Sequence, residues 1–279
     1  MHAGRIDLRE AAQRLGVHYM TAYRYVRIGR LPATQHGGRW LVDPKDLELL
    51  RPGRDGSTAR RGHAQPDQYR YRLRARLLAG DETGAWRLVE TFLGSGGTPT
   101  SALLDMLAPA MRDVGDGWES GELSVGDEHR ATAVATRLVG RLGPMFVRPG
   151  RPRGTVVVAC APGDSHALPA AMVASVLRGE GYAVVELGGD TPGDSVLGEV
   201  ERAGGRLRGV AISVSSPSRL EAAGEVAAAL RAAAPDTTIL IGGPAVTSST
   251  HAVALGSDGW SADAAGVADL LAAPHRLGP

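Results

Sequence analysis

The sequence predicts a multidomain chain with a small helical head, a helical bundle and a parallel α/β sheet covered by helices on both faces. Residues 153–279 alternate β-prone and helical runs at a spacing of about 25 residues, as repeated βα units do. Residues 67–148 contain helical stretches joined by short glycine-bearing turns, which is typical of an antiparallel bundle. Residues 1–50 form the head. Residues 51–66 are rich in Gly, Pro, Ser and Arg and predict a flexible linker.

Charge separates the head from the rest of the chain. Residues 1–64 carry 12 Arg or Lys and 6 Asp or Glu, whereas the remainder carries 19 and 24. A basic head on an acidic body predicts a polyanionic partner for the head alone. No run approaches the ~18 apolar residues of a membrane span, and the first seven residues lack the apolar core of a signal peptide. With Cys160 as the lone cysteine, we expect a cytoplasmic protein without a membrane anchor.

The head is predicted to be a helix-turn-helix with a β-wing. Apolar residues recur at helical spacing over residues 8–15, and a second helix is predicted over residues 18–28. A glycine turn then leads to a wing strand, Arg39–Val42. Asp43 is a predicted cap for a last helix over residues 44–50.

Five segments of the head carry a resemblance: Glu10–Ala12, Leu15–Val17, Thr21–Arg24, Gly29–Pro32 and Gly37–Trp40. Together they resemble the DNA-binding domain of MerR-type and excisionase-type regulators, which implies a double-stranded DNA partner. Basic, hydroxyl and ring side chains outside the predicted core can reach phosphates or base edges. These candidate DNA contacts are Tyr19, Thr21, Arg24, Tyr25 and Arg27 on the second helix, and His36 and Arg39 on the wing. The alternative is a basic module that binds protein.

The predicted bundle carries a short motif of two apolar and two polar residues around the turn before its last helix. Its helices are predicted over residues 67–78, 81–93, 99–118 and 125–142, with Asp81 and Thr98 as N-caps. Trp118, Val125, Glu128 and His129 fall at the spacing W-x6-V-x2-E-H. Taken singly, the Trp suits a bundle core, and the Glu suits a helix start, where the helix dipole favours negative charge.

The α/β part is predicted to be a flavodoxin-like, Rossmann-type sheet. Its strands are predicted at Thr155–Cys160, Ala183–Leu187, Gly209–Ser213 and Thr238–Ile241, with a short fifth near Gly259-Trp260. Its helices are predicted over residues 170–179, 194–203, 218–233 and 262–273. Neither GxxxxGK[ST] nor GxGxxG follows the first strand, which argues against a nucleotide site.

The loop after the first predicted strand carries Asp164 and His166. Ligands of such sheets bind at the carboxyl ends of the strands. A carboxylate near a histidine can accept the Nδ1 proton, fix the tautomer and raise the basicity of Nε2, which suits a metal ligand. The alternative is an ordinary loop histidine paired with a nearby Asp.

The strand ends together resemble the cobalamin-binding domain, through Asp164-x-His166, Ser213-x-Ser215 and Gly242-Gly243. The resemblance implies that His166 is the lower axial cobalt ligand and that the displaced nucleotide tail runs into the sheet. The implied cofactor-binding residues of this part are Asp164, Leu168, Ser213, Ser215, Gly242 and Gly243. Pro169 stands where the motif has glycine, and Ser215 stands where it has Leu or Thr.

The order of the three parts, with both motifs, resembles the CarH/LitR-type photoreceptor regulators over nearly the whole chain. The resemblance implies that Trp118 packs over the upper face of the corrin, with Val125 in the same motif, and that Glu128 and His129 help to hold the adenosyl group. It also implies that adenosylcobalamin supports a homotetramer in the dark, which binds operator DNA and represses. Light would break the cobalt–carbon bond, and the tetramer would fall apart and release DNA.

One residue departs from this pattern. Glu119 stands where the best-known members have a histidine that captures cobalt after photolysis. We therefore expect water or a weakly held ligand above cobalt after illumination, with His129 as the nearest replacement histidine. Two other functions stay open: a cobalamin- or redox-sensing regulator without a light response, and a corrinoid enzyme subunit. A corrinoid enzyme would need a substrate barrel, which this sequence does not predict, and an enzymatic role would leave the head unexplained. We therefore expect a non-enzymatic regulator.

Overall fold

The computed structural model describes residues 5–15, 26, 31–36, 39–48, 66–261 and 263–272. The chain forms two compact units, residues 1–131 and 132–279. Within the described ranges, no helix combines the length and the apolar character that crossing a membrane requires.

The head is a small three-stranded antiparallel sheet with two described helices. Its elements are β1 (Ile6–Asp7), α1 (Leu8–Leu15), β2 (Ala33–His36), β3 (Arg39–Val42) and α2 (Pro44–Glu48), and the strand order is β1-β3-β2. The Asp7 carboxylate accepts a hydrogen bond from the Glu10 N–H and so caps α1 at 2.8 Å. Asp43 accepts from the Lys45 N–H at 3.0 Å, which confirms the predicted cap of α2.

Apolar residues from all parts of the head meet in one core. Leu8, Ala11, Ala12, Leu31, Val42 and Leu47 are buried together, and Val26 packs against them. The predicted first helix, wing strand and last helix are confirmed over the residues that the structure describes, and residues 49–50 of the predicted last helix lie outside them. The short β1 was not predicted. Of the predicted second helix, only Val26 lies among the described residues, and it is helical and half-buried.

Helical segments follow from residue 66. They are α3 (Pro66–Leu78), α4 (Glu82–Gly94), α5 (Pro99–Ser101), a π-helical segment (Ala102–Leu107), α6 (Ala108–Glu119) and α7 (Val125–Leu142). Asp81 accepts from the Gly84 N–H and Thr98 accepts from the Ser101 N–H, so both predicted N-caps are confirmed. A bidentate ion pair between Arg70 of α3 and Asp113 of α6 adds to the apolar packing of the segments in the first unit.

The third predicted helix contains a π-helical segment because of one proline. Pro109 has no N–H to donate to the carbonyl four residues earlier, and its ring would crowd that carbonyl. The helix widens just before Pro109, where the Ala108 N–H donates a hydrogen bond to the Leu103 carbonyl five residues earlier. Leu103, Met106 and Leu107 of this segment are fully buried.

The α/β part begins after a short 3₁₀ turn at Gly143–Phe146. Its elements are β4 (Thr155–Cys160), α8 (Ala167–Gly179), β5 (Ala183–Gly188), α9 (Gly193–Ala203), β6 (Leu207–Ser213), α10 (Leu220–Ala233), β7 (Thr238–Gly242), α11 (Ser249–Ala254) and α12 (Ala264–Ala272). The four strands are parallel, in the order β5-β4-β6-β7, which is the flavodoxin-like order predicted. The predicted short fifth strand near Gly259 is present only as a single parallel bridge between Gly259 and Leu240 of β7. The short helix α11 was not predicted.

Two apolar layers bury the sheet. Alternate residues of the strands point to opposite faces, so Val157 and Ile212 lie in one core with α9 and α10, while Val156 and Val158 lie in the other with α8 and α12. Burial on both faces leaves the carboxyl edge of the strands as the place where polar loops converge.

Candidate cofactor-binding site

Asp164 and His166 lie in the loop between β4 and α8, at the carboxyl edge of the sheet. Nδ1 of His166 donates to Oδ1 of Asp164 at 2.9 Å, and the His166 backbone N–H donates to the same oxygen at 3.1 Å. The imidazole is 57% exposed, whereas the Asp164 side chain is fully buried. With Nδ1 engaged by the carboxylate, Nε2 is the ring atom left for an external ligand.

The other carboxylate oxygen of Asp164 is bound as well. The Ser215 backbone N–H, from the loop after β6, donates to Oδ2 at 2.5 Å. Burial acts to raise the pKa of the Asp164 carboxyl, but the hydrogen bonds from Ser215 and His166 outweigh burial, and the pKa lies below its ordinary value. The carboxylate is therefore charged at neutral pH and keeps the Nδ1–H tautomer of His166.

The loop after β5 lies against the Asp164 loop. Asp190 donates its backbone N–H to the Asp164 carbonyl at 2.7 Å, and its carboxylate accepts from the Gly163 N–H at 2.6 Å. The approach is close, since a Cβ on Gly189 would lie 2.9 Å from the Ser165 carbonyl oxygen. The residue pattern had pointed to none of these contacts, although the Gly188-Gly189 pair that ends β5 is a signal for such an approach.

The floor of the site contains two buried hydroxyl groups without a partner. Among the described residues, Ser213 Oγ and Ser215 Oγ are the buried side-chain oxygens with no hydrogen bond. A buried hydroxyl left unpaired is costly, so two of them at one sheet edge favour a polar ligand there. Space is available beside them, because a Cβ on Gly242 would meet nothing within 4 Å.

Gly243 allows the loop after β7 to pack closely against the backbone of Val214. Its φ is +104°, and a Cβ there would lie 2.5 Å from the Val214 carbonyl oxygen and 2.8 Å from the Val214 nitrogen. Only glycine fits this conformation and this approach. Of the predicted Gly-Gly pair, Gly243 thus serves packing between the β6 and β7 loops, whereas Gly242 borders open space.

The start of α8 accommodates Pro169, which stands where the cobalamin-binding motif has glycine. His166 is the N-cap residue and Pro169 lies in the first helical turn, where its missing N–H removes no helical hydrogen bond. Leu168 is buried. Cys160, at the end of β4, is buried too, and burial raises the pKa of its thiol to about 12, with a smaller contribution from the nearby Asp164 charge.

The W-x6-V-x2-E-H motif of the helical segments lies around the turn between α6 and α7. Ser124 and Asp127 form a reciprocal cap at the start of α7. The Asp127 N–H donates to Ser124 Oγ at 3.2 Å, and the Ser124 N–H donates to the Asp127 carboxylate at 3.1 Å. Trp118 and Val125 flank this turn and are exposed large apolar side chains. The bundle-core interpretation of Trp118 is therefore wrong, because 45% of it is exposed.

Glu128 and His129 follow in the first turn of α7. The Glu128 carboxylate lies 3.7 Å from Nε2 of His129. The His129 side chain is 75% exposed and that of Glu128 is 21% exposed. All four motif residues thus lie near one end of the helical segments, three of them with surface available for contact.

The candidate DNA contacts lie largely outside the described residues. This holds for Tyr19, Thr21, Arg24, Tyr25 and Arg27. For His36 and Arg39 the structure describes the backbone, which forms a pair at the end of the β2–β3 ladder. A hydrogen bond from Arg5 to Thr34 Oγ1 adds a described basic residue on the same sheet.

Comparison with known protein families agrees with this three-part architecture. Residues 6–50 match a helix-turn-helix domain, residues 69–142 match a B12 binding domain of a second type, and residues 154–268 match the B12 binding domain. The chain joins a helix-turn-helix domain to B12-binding domains. The helical part from residue 66 is accordingly the B12-binding cap, and the parallel sheet is the cobalamin-binding domain.

Individual proteins are similar to parts of this chain. The HTH-type transcriptional repressor CarH of Myxococcus xanthus is 33% identical over 151 residues, which are 54% of this chain and 48% of the repressor. The alignment thus spans about half the length of that relative. The monomethylamine corrinoid protein of Methanosarcina barkeri has a similar structure, with a TM-score of 0.66 at 19% identity over 74% of this chain and 98% of that one. At this identity the likeness shows the fold alone.

The residues at the sheet edge suit cobalamin. An exposed imidazole with a fixed tautomer can take one axial position of a metal that a corrin ring already holds. The unpaired hydroxyls of Ser213 and Ser215, beside the open space at Gly242, suit a slender polar tail. The same residues offer no phosphate loop of the kind that nucleotide sites use.

Proposed function

We propose that this protein is a cobalamin-dependent, light-responsive transcriptional repressor. The observation that carries the proposal is the pairing of His166 with the buried, doubly bound Asp164 at the sheet edge of a chain that also has a helix-turn-helix head. The similarity to a transcriptional repressor supports regulation rather than catalysis. A corrinoid enzyme subunit shares the fold but would have no use for the head.

His166 would hold cobalt from below through Nε2. Asp164 fixes the ring from Nδ1, and Ser215 in turn fixes Asp164 through its backbone N–H. A ring already oriented in this way loses little freedom on binding. Ser213 and Ser215 would donate hydrogen bonds to the nucleotide tail, which would pass Gly242.

The cap residues would contact the upper ligand. When bound, adenosylcobalamin supplies a cobalt–carbon bond that light can break. Trp118 and Val125 offer apolar surface, and Glu128 and His129 offer polar atoms, all near the α6–α7 turn. These residues would distinguish a cofactor with a bulky alkyl group from one without it. The state that contacts the alkyl group best is the state that this group stabilises.

Operator DNA would bind to several heads joined in a homotetramer in the dark. A single small head on the predicted linker at residues 51–66 would bind weakly, whereas joined heads gain effective concentration without new contacts. A cofactor that favours the assembled state strengthens DNA binding by linkage. Arg24→Ala and Arg39→Ala should each lower the salt slope of DNA binding by roughly one unit per lost phosphate contact.

Three measurements on one sample test the proposal. The protein is loaded with adenosylcobalamin in the dark and then illuminated, while its absorption spectrum, its mass by size-exclusion chromatography with light scattering, and its operator mobility shift are recorded. We expect a DNA-binding tetramer that becomes smaller and releases DNA on illumination. An oligomer of unchanged size that keeps its operator after complete photolysis would reject the light switch.

A second candidate is a cobalamin- or redox-sensing regulator without a light response. Glu119 favours it, because a carboxylate cannot match imidazole as the ligand that would make the illuminated state long-lived. Under the light-switch proposal, Glu119 predicts a photoproduct with water or a weakly held upper ligand. Under the alternative, DNA binding follows the presence of cobalamin and ignores illumination.

A further inference from the structure

Asp190 has an unusual backbone conformation. Among the described residues other than glycine, it alone has a positive φ, at 46°. Most side chains avoid this left-handed region, which Asp and Asn tolerate best because their short polar groups can form local hydrogen bonds. The side chain of Asp190 is exposed, so packing does not force the conformation.

The conformation lets one residue hold the site loop at two points. The Asp190 carboxylate accepts from the Gly163 N–H at 2.6 Å, and the Asp190 N–H donates to the Asp164 carbonyl at 2.7 Å. Both partners belong to the loop that ends in His166. The first bond joins a charged oxygen to an amide and is therefore stronger than a neutral one.

The pairing of β4 with β5 places Asp190 beside the loop that contains Asp164. The ladder between β4 and β5 is regular up to Val158 and Glu186 and then shifts, so that Ala159 lies opposite Gly188. Gly188, with a φ of +80°, turns the chain, and Gly189 allows the backbones to meet. The β5 loop is thus built to approach the Asp164 loop from the side opposite to Ser215.

We propose that Asp190 is a positioning residue for His166, which rests on the proposed role of His166 as cobalt ligand. Asp164 orients the imidazole, Ser215 holds the Asp164 carboxylate, and Asp190 holds the Asp164 backbone. Without the Asp190 carboxylate, Gly163 loses its acceptor and Asp164 can shift relative to the ring. The Nδ1–H tautomer and the direction of Nε2 then become less defined.

Three substitutions separate the acceptor from the backbone conformation. Asp190→Gly keeps the positive φ and removes the acceptor, Asp190→Ala removes the acceptor and adds strain, and Asp190→Asn keeps both an acceptor oxygen and the tolerance for positive φ. Asp236→Gly is the matched control, since Asp236 is an exposed loop residue before β7, at the amino edge of the sheet.

The test uses the full chain, first without cofactor and then with cobalamin in the Co(II) state. Nitrogen-15 NMR of the apo protein, with His166→Ala to assign the ring, should show the Nδ1–H tautomer in the native chain and a tautomer mixture in Asp190→Gly. Cobalamin binding should weaken about 3–10-fold in Asp190→Gly and Asp190→Ala, as loss of one hydrogen bond predicts. Asp236→Gly should bind within about twofold of the native chain, which is the scatter expected for a neutral change. Asp190→Asn should bind between the native chain and Asp190→Gly, because a neutral amide oxygen accepts a weaker hydrogen bond than a carboxylate.

Electron paramagnetic resonance distinguishes failure of the proposed role of His166 from failure of the proposed role of Asp190. If the native chain shows no protein nitrogen on cobalt, the proposed role of His166 fails. If the native chain shows it, while Asp190→Gly and Asp190→Ala leave the tautomer and the affinity unchanged, the role of Asp190 is overturned. Equal losses in Asp190→Gly and Asp236→Gly would also overturn it, because they would mark a general effect of added glycine.

Discussion

The two B12-binding parts of this chain present their candidate site residues in opposite ways. At the sheet edge, Asp164 is buried and accepts hydrogen bonds from Ser215 and His166, so the protein itself holds the Asp164 carboxylate and the His166 ring. In the cap, Trp118 and Val125 are exposed, and His129 is mostly in solvent. The difference indicates that one side is preorganised for its ligand, while the other has surface that a ligand would have to cover.

This contrast fits the division of work in the proposed switch. A fixed lower side keeps the cofactor in place whatever its upper group, because its contacts do not depend on that group. An exposed upper side gains contacts only while an alkyl group is present, and a ligand can shift an equilibrium only by its differential affinity for the two states. The four changes below test the two sides separately, from the largest expected effect to the smallest.

Gly243→Ala should have the largest effect, since it disturbs the preorganised side itself. Its Cβ would lie 2.5 Å from the Val214 carbonyl oxygen at a φ of +104°, and backbone atoms cannot give way cheaply. We expect the free energy of unfolding to fall by about 2–3 kcal/mol in chemical denaturation. Gly242→Ala is the control, because an added Cβ there would meet no atom within 4 Å. It should leave the free energy of unfolding unchanged and weaken cobalamin binding. Normal binding would mean that the nucleotide tail of the cofactor takes another path.

Asp164→Ala should weaken cobalamin binding by about 10–100-fold, as loss of a residue that orients a metal ligand does. Nδ1 of His166 loses its acceptor, and the Ser215 N–H loses its partner. Isothermal titration with hydroxocobalamin measures the change, and Asp194→Ala, at an exposed position of α9, controls for loss of an acid. Binding that matched the native chain would show that the sheet edge needs no fixed imidazole.

Trp118→Ala tests the exposed side. Because 45% of the residue is exposed, the fold should lose little stability. The preference for adenosylcobalamin over hydroxocobalamin should fall on the order of tenfold, since partial burial of an indole against the alkyl group would be lost. Competition between the two cobalamins measures this preference. Tyr71→Ala, at an exposed aromatic residue of α3, is the control, and an equal effect in both variants would refute a specific role for Trp118.

The smallest change concerns the cap fold and its response to acid. The hydrogen bond and charge of Arg70 outweigh partial burial and hold the pKa of Asp113 below its ordinary value. A carboxyl with a depressed folded-state pKa stabilises the fold above its unfolded pKa of about 3.9, and this contribution is lost as the pH falls toward the folded value. Asp113→Asn should therefore cost about 0.5–1 kcal/mol at pH 7 and less at pH 3. A cost independent of pH would exclude the charge as its cause.

Local patterns were sufficient to predict most of the elements that build the fold. The valine run of β4 and the spacing of the βα units predicted the sheet, and Asp81, Thr98 and Asp43 were recognised as caps from their positions. The pairing of Asp164 with His166 was predicted because the two residues lie two positions apart. The π-helical segment before Pro109 was missed, since the proline is visible in the sequence but the way in which the helix adapts to it is not.

Contacts between distant segments could not be predicted. The hydrogen bond that the Gly163 N–H donates to the Asp190 carboxylate spans 27 residues and depends on the register shift at Ala159. Ser215 was predicted as a cofactor-binding residue, but the hydrogen bond that its backbone N–H donates to Asp164 was not predicted, and its hydroxyl has no partner. The exposure of Trp118 depends on how the α6–α7 turn packs, which the motif spacing does not specify.

The preorganised sheet edge is tested most directly by electron paramagnetic resonance of the Co(II)-cobalamin complex. The native protein is produced with nitrogen-15 in its histidines, and His166→Ala is measured beside it. The account predicts coupling from one protein nitrogen, with the splitting altered by nitrogen-15 and absent in His166→Ala. Coupling that is unaffected by the histidine label, or coupling from labelled histidine nitrogen that persists in His166→Ala, would contradict it.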